Sequence, residues 1–207
     1  MNCLKCEKEI PTWDVVCGEC GTNQETLLSA RRAELDGQRE QAESLRGAYS
    51  FDKSLVIARE IAGVEDIRLQ HLKEWSETFI DETLTEKDRQ EQDNVTHLAE
   101  SRTHREAFDY ASAIQTMEKI PEAMLTDDMS YCLKQLHSDH EESQTLIATI
   151  TERVQRRDLS GLLEQVERAA VLRGDRDDLQ TLQQQLRDRR EKSIESRDAA
   201  YSEAKSL

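Results

Sequence analysis

Apolar residues along this chain recur mainly in steps of three and four, the spacing that gathers side chains on one face of an α-helix. The first row runs Leu28, Leu35, Ala42, Leu45 and Tyr49, is interrupted at Arg31 and Gln38, and describes a narrow stripe suited to one or two neighbouring helices. Its start is marked by Thr22-Asn23-Gln24-Glu25, where Thr22 or Asn23 can accept from the first free amides and Glu25 stands three residues after Thr22. A second row, Ile67, Leu69, Leu72, Trp75, Phe79 and Ile80, opens another helix near residue 66. Residues 81–94 then hold Leu84 as their only aliphatic. Glu82, Glu86, Arg89, Gln90 and Gln92 are good helix formers without an intervening Gly or Pro, so the pattern favours helix on to His104 over a mobile connection.

From Met129 the series Leu133, Leu136, His140, Ser143, Ile147, Ile150 and Val154 predicts one helix over 127–157, capped by Thr126 and Asp127. Leu179, Leu182 and Leu186 begin a last helix over 175–207. Beyond them only Ile194 and Tyr201 are large and apolar before Leu207, so this end is expected either to fray or to continue into something absent from this chain.

Between the long rows lies a weak threefold repeat. Ser50-Phe51-Asp52-Lys53-Ser54-Leu55 aligns with Asp109-Tyr110-Ala111-Ser112-Ala113-Ile114 and with Asp158-Leu159-Ser160-Gly161-Leu162-Leu163. Each copy joins a capping residue type to an aromatic or Leu and then to an aliphatic four residues on, which predicts a tight turn that ends a long helix and launches a short one. The short helices are expected near 51–62, 110–120 and 159–172, closed by Gly63, Pro121 and Gly174. The second copy, through Glu118-Lys119-Ile120-Pro121, resembles the second helix of a tetratricopeptide repeat over about a dozen residues. The copies are spaced by 59 and 49 residues, and the small residue Ala113 becomes Ser54 and Leu162, so no regular array of that family is expected.

Composition agrees with long helices: only 7 Gly and 2 Pro interrupt a chain that is 36% hydrophobic and 34% charged, too polar for a thick core. The formal charge of −15 disfavours nucleic acid, which needs clustered Lys and Arg. Arg31-Arg32, Arg156-Arg157 and Arg189-Arg190 are short pairs among acids. No apolar run reaches the ~20 residues of a membrane span and no signal-peptide core opens the chain, so a soluble, cytoplasmic protein is expected.

Chemistry concentrates in the first twenty residues, where Cys3, Cys6, Cys17 and Cys20 follow the order Cys-x2-Cys-x10-Cys-x2-Cys. Two intervening residues let one turn present two thiolates to one ion, and two such turns complete a tetrahedral set. Four thiolates leave no open position, which predicts one structural Zn²⁺ rather than a catalytic centre; a single iron held by the same paired turns is the other metal option. The ten-residue span is expected to form a short β-hairpin whose Ile10, Trp13, Val15 and Val16 cover the metal, with zinc supplying the stability that so small a module lacks. Cys-Gly-Glu-Cys-Gly at 17–21 carries a resemblance to the zinc-ribbon family of bacterial multi-domain proteins. The first knuckle departs from that pattern, with Leu4 where Pro is common and Glu7 where Gly is common. The resemblance implies zinc, a few short strands and, in many members, docking of proteins or nucleic acids.

The remaining candidates read blandly. Cys132 is a spare thiol suited to packing. His137, His140 and Glu141 could share neighbouring turns, and His97 and His104 lie seven apart, but no nucleophile or phosphate loop accompanies either set. Trp75 and Phe79 mark the densest core, where the first and second repeats meet. The sequence thus predicts a mainly α protein: a zinc ribbon over 1–22, then an elongated antiparallel array of about seven helices over 23–207, in units of 23–63, 64–121 and 122–174 with a terminal helix from 175. The expected function is a non-enzymatic adaptor or scaffold whose protein partner the sequence does not name, with self-association through the helical stripes left open. A nucleic-acid-binding or transcription-associated ribbon and a zinc-thiolate redox regulator are the alternatives.

Overall fold

A computed structural model describes residues 2–11 and 14–206. Among them are seven α-helices: α1 (Gln24–Gly47), α2 (Phe51–Ala62), α3 (Gln70–Glu106), α4 (Tyr110–Met117), α5 (Asp127–Gln155), α6 (Leu163–Leu172) and α7 (Asp177–Ser206). Short 3₁₀ turns at Ile67–Leu69 and Glu122–Met124 precede α3 and α5. The mainly α class and the alternation of long and short helices hold, and residues 81–94 are helical throughout. The last helix, α7, runs to Ser206.

The chain divides into two compact units, residues 1–95 with 121–124, and residues 96–120 with 125–207. In the first unit, Leu35, Ile61, Leu69 and Leu72 form a buried cluster joined by Leu28, Ile57, Val64 and Trp75. A second cluster joins Ala42, Ala58 and Phe79 to Ile57, Trp75 and Ile80. The stacked Trp75–Phe79 pair, 4.8 Å between centroids, thus lies where α3 meets α1 and α2. Phe79 is buried and Trp75 half-buried, with the Arg39 guanidinium 5.9 Å from its ring. The polar stretch of α3 is held across the unit: Arg46 of α1 donates to Glu86 at 2.6 Å and Glu82 at 3.1 Å, and Lys87 reaches Asp52 of α2 at 2.6 Å.

In the second unit, Tyr110, Ala113, Ile114, Met117, Ile120 and Leu136 form one cluster, against which Cys132 packs. Ile150, Leu162, Val166, Ala169, Leu179 and Leu186 form another. The Tyr110 hydroxyl donates to Leu172 O at 2.9 Å, tying the start of α4 to the end of α6.

The threefold repeat is a repeated backbone turn. Tyr49, Phe108 and Arg157 each adopt a left-handed conformation, with φ of 58°, 59° and 59°. The next amides, of Ser50, Asp109 and Asp158, donate to carbonyls five residues back, Leu45, His104 and Arg153, at 2.8, 2.9 and 2.9 Å. The left-handed residues themselves donate three residues back, to Arg46, Arg105 and Val154. This is a Schellman closure with a non-glycine residue where glycine is usual. Residues seven before and five after each left-handed position are joined by a hydrogen bond in two copies and share a buried cluster in the third. The pairs are Ala42 with Ser54, Ser101 with Ala113, and Ile150 with Leu162. In the first two, serine donates to the alanine carbonyl, at 2.8 and 2.9 Å. The third pair consists of two aliphatics of one buried cluster.

Capping departs from expectation in two of the three copies. Asp109 caps α4 by accepting from Ser112 N at 3.1 Å, but Ser50 makes no side-chain cap bond. Asp158 does not start α6: it accepts from Ser160 N, Gly161 turns left-handed at φ 65°, and the helix begins only at Leu163.

Candidate metal centre

Both cysteine pairs sit in tight turns closed by backbone hydrogen bonds. In the first knuckle Cys3 N donates to Lys8 O at 2.8 Å and Glu7 N to Cys3 O at 3.0 Å; in the second Cys17 N donates to Thr22 O at 3.0 Å and Gly21 N to Cys17 O at 2.8 Å. Isolated antiparallel bridges flank them, Asn2 with Glu9 and Val16 with Asn23. The chain therefore pairs around each knuckle, because a Cys-x2-Cys turn reverses the chain and brings its own flanks together; the hairpin expected within the ten-residue span centres on residues outside those described. Thr12 and Trp13 lie outside the described residues.

The turns bring Cys3, Cys6, Cys17 and Cys20 together, all four sulfurs within 4.8 Å of one another. Cys3 Sγ stands 3.7 Å from Cys20 Sγ, and Cys6 Sγ 3.8 Å from Cys17 Sγ, each distance spanning the two knuckles. A tetrahedron with metal–sulfur bonds of about 2.3 Å has edges of about 3.8 Å, so the spacing fits a closed tetrathiolate site. Cys3 and Cys17 are buried with Ile10. Val15 and Val16, expected to cover the centre, are instead about half exposed, and Leu4 joins them at the surface.

The thiols of Cys3, Cys6 and Cys20 differ in how readily they ionise. Backbone amides, Cys6 N–H foremost and Lys5 N–H at 3.4 Å, lower the Cys3 thiol to about 6 against the opposing effect of burial. The Lys8 amide favours the Cys6 thiolate, yet the neighbouring sulfurs of Cys3, Cys20 and Cys17, together with burial, push Cys6 up to about 12. Cys20 is lowered, chiefly by the Thr22 hydroxyl 3.3 Å from its sulfur. Crowded thiols that cannot all ionise among themselves do so when a metal ion neutralises them.

Gln24 anchors this cluster to the helical chain. Its side chain is buried at the first position of α1, where Nε2 donates to Cys3 Sγ at 3.2 Å and to Thr22 O at 3.1 Å, and Oε1 accepts from Leu4 N at 3.0 Å. Asn23 is the cap, accepting from Glu25 N and Thr26 N, and Thr22 is committed to Cys20. Periodicity could not reveal Gln24, because it belongs to no apolar row. The available signal was the shortness of Gly21-Thr22-Asn23, which leaves the start of α1 beside the knuckles.

No family model, curated protein or solved structure matches this chain. Its function is therefore argued from geometry. Among the described residues the cysteine cluster is the only group of His, Cys, Asp and Glu gathered closely enough to hold a metal. The four candidate histidines lie beside separate residues: His137 Nε2 is 3.6 Å from Glu118, His140 Nε2 2.9 Å from Gln144, His97 Nδ1 3.8 Å from Glu100, and His104 Nδ1 3.8 Å from Asp109. No helix among the described residues is long and apolar enough to cross a membrane.

Proposed function

We propose that the cysteine cluster is a structural zinc ribbon and that the chain is a non-enzymatic adaptor, joining protein partners through the ribbon and its helical faces. The observation that carries this reading is the four-sulfur set, all within 4.8 Å of one another and with two of its edges at 3.7 and 3.8 Å, tied by Gln24 to the first helix. Four thiolates around one ion leave no position for a substrate or an activated water, so the ion folds the module and performs no reaction. Zinc suits the site because it is borderline-soft and imposes no geometry beyond the tetrahedron. Leu4, Val15 and Val16, exposed on so small a module, give it an apolar contact surface.

The test compares the intact chain with a Cys17→Ser, Cys20→Ser variant. Native mass spectrometry should find one zinc in the former and none in the latter, and affinity capture should lose partners with the metal. Iron in place of zinc would reassign the ion. Capture of the same partners by both proteins would move the docking function from the ribbon to the helices, and salt-sensitive binding of nucleic acid by the zinc form alone would overturn the adaptor reading.

A further inference from the structure

The turn between α5 and α6 and the facing part of α7 enclose a crevice of about 500 Å³. Leu159, Leu162, Leu163 and Leu186 line it, with Arg189, Arg190, Ser160 and Ser193 as its polar side and Glu164 its one acidic wall residue. Most nearby arginines are already matched: Arg187 pairs with Glu167, Arg168 with Glu142, and Arg153 holds the turn through Asp158 and Ser160 O. The side chains of Arg189 and Arg190 make no ion pair or hydrogen bond among the described residues, although acids outnumber bases 43 to 28 in the chain. Two uncommitted guanidinium groups thus border an aliphatic recess of a size that small ligands and peptide side chains occupy.

We propose that this crevice binds an acidic peptide segment of a partner protein. An aliphatic side chain of that segment would rest on Leu159, Leu163 and Leu186 while neighbouring carboxylates meet Arg189 and Arg190. Guanidinium groups match carboxylates in paired, charge-assisted hydrogen bonds, which gives the site its polarity preference. The four leucines give a bare phosphate nothing to contact, whereas a peptide segment can place an aliphatic side chain on them. Charge complementarity within an acidic chain selects the occupant. The inference deepens the adaptor reading and rests on it for biological meaning, but not on the metal.

The probe is a fluorescein-labelled peptide of alternating Glu and Leu, titrated into the full chain by anisotropy, with amide NMR shifts locating the contact. Binding should weaken with added salt and perturb residues 159–164 and 186–193. An Arg189→Gln, Arg190→Gln variant, altered only at exposed positions, should lose at least tenfold in affinity with unchanged circular dichroism. Undiminished binding by that variant, absence of binding at millimolar peptide, or equal binding of a Gln/Leu peptide would overturn the proposal. Inorganic phosphate that reproduces the shifts and displaces the probe at equal molarity would do so too, by assigning the crevice to a phosphoryl group. The Cys17→Ser, Cys20→Ser protein should bind the probe normally, so failure of the ribbon reading and failure of this one are distinguishable.

Discussion

Glu7 and Gly21 occupy the same place in the two knuckles, directly after the second cysteine of each pair, and share a left-handed backbone with φ of 58° and 66°. The geometry that glycine adopts freely is thus imposed on a glutamate. The left-handed region costs a residue with a Cβ about 1–2 kcal/mol, partly offset by the extra chain entropy of glycine in the unfolded state. Glu7→Gly should therefore strengthen the metal-bound module by about 0.5–1 kcal/mol, seen as slower zinc loss to a chromophoric chelator. Gly21→Ala should act in the opposite direction. Faster zinc loss from Glu7→Gly would mean that its side chain contributes something the backbone argument omits.

Gln24 makes a different kind of claim on the site, because its amide touches the Cys3 sulfur and a knuckle amide at once. Removing a group that orients metal ligands typically lowers affinity by about 10–100-fold. Gln24→Ala should show a loss of that order in competition with a chelator, while the far-UV circular dichroism of the helices is preserved. Wild-type zinc affinity in Gln24→Ala would reduce Gln24 to a linker residue.

What the sequence could disclose follows from which interactions are local. Helix positions follow from the 3.6-residue period, and the cysteine set follows from spacing within single turns, so both could be read from the chain. The three turns could be located from Ser50, Asp109 and Asp158, but not their left-handed residues: Tyr49, Phe108 and Arg157 share no side-chain property, since the carbonyl-to-amide closure demands only a backbone shape. The 81–94 stretch was ambiguous because its support comes from Arg46 and Asp52, some 35 to 40 residues away. The paired positions explain why Ser54, Ala113 and Leu162 do not look alike. Each matches its own opposite residue rather than the other copies.

Asp66 supplies a pH signature. It accepts from Arg68 N at 3.0 Å and pairs with the Arg68 guanidinium at 2.5 and 2.9 Å, in a largely buried position before α3. The Arg68 hydrogen bond holds the carboxyl below its ordinary value, against the effect of burial. A depressed folded pKa means stability that is present above the unfolded value of about 3.9 and is lost as pH falls through the folded value. Asp66→Asn should cost about 1–2 kcal/mol near neutrality, from the charge-assisted pair with Arg68, since asparagine can still accept from Arg68 N. The gap from wild type should stay constant down to about pH 4 and close below it. Urea titrations with EDTA present throughout keep metal release from adding its own pH dependence. A gap that instead widens on acidification would refute the assignment.

Phe108 and Gly174 are matched by space: a Cβ at Gly174 would stand 2.6 Å from Phe108 Cζ and 3.0 Å from Cε2. Phe108 cannot retreat freely, because its left-handed backbone is fixed by the closure of α3 and its ring is half-buried beside Tyr110. Gly174→Ala should therefore destabilise the second unit by about 1–3 kcal/mol, the usual cost of forcing an extra methyl into a packed place. Phe108→Gly removes the ring but also relieves the left-handed strain, so its own cost should be smaller than that of truncating an ordinary core aromatic. Residues in direct contact show coupling, so in the Phe108→Gly background the alanine at 174 should be close to neutral. Arg157→Gly provides the reference for strain relief alone, since it has the same φ on an exposed side chain, and it should stabilise by about 0.5–1 kcal/mol. Thermal unfolding of the four proteins of the cycle, with Arg157→Gly beside them, separates the two effects. Strict additivity of Phe108→Gly and Gly174→Ala would show that the close approach of ring and glycine does not limit position 174.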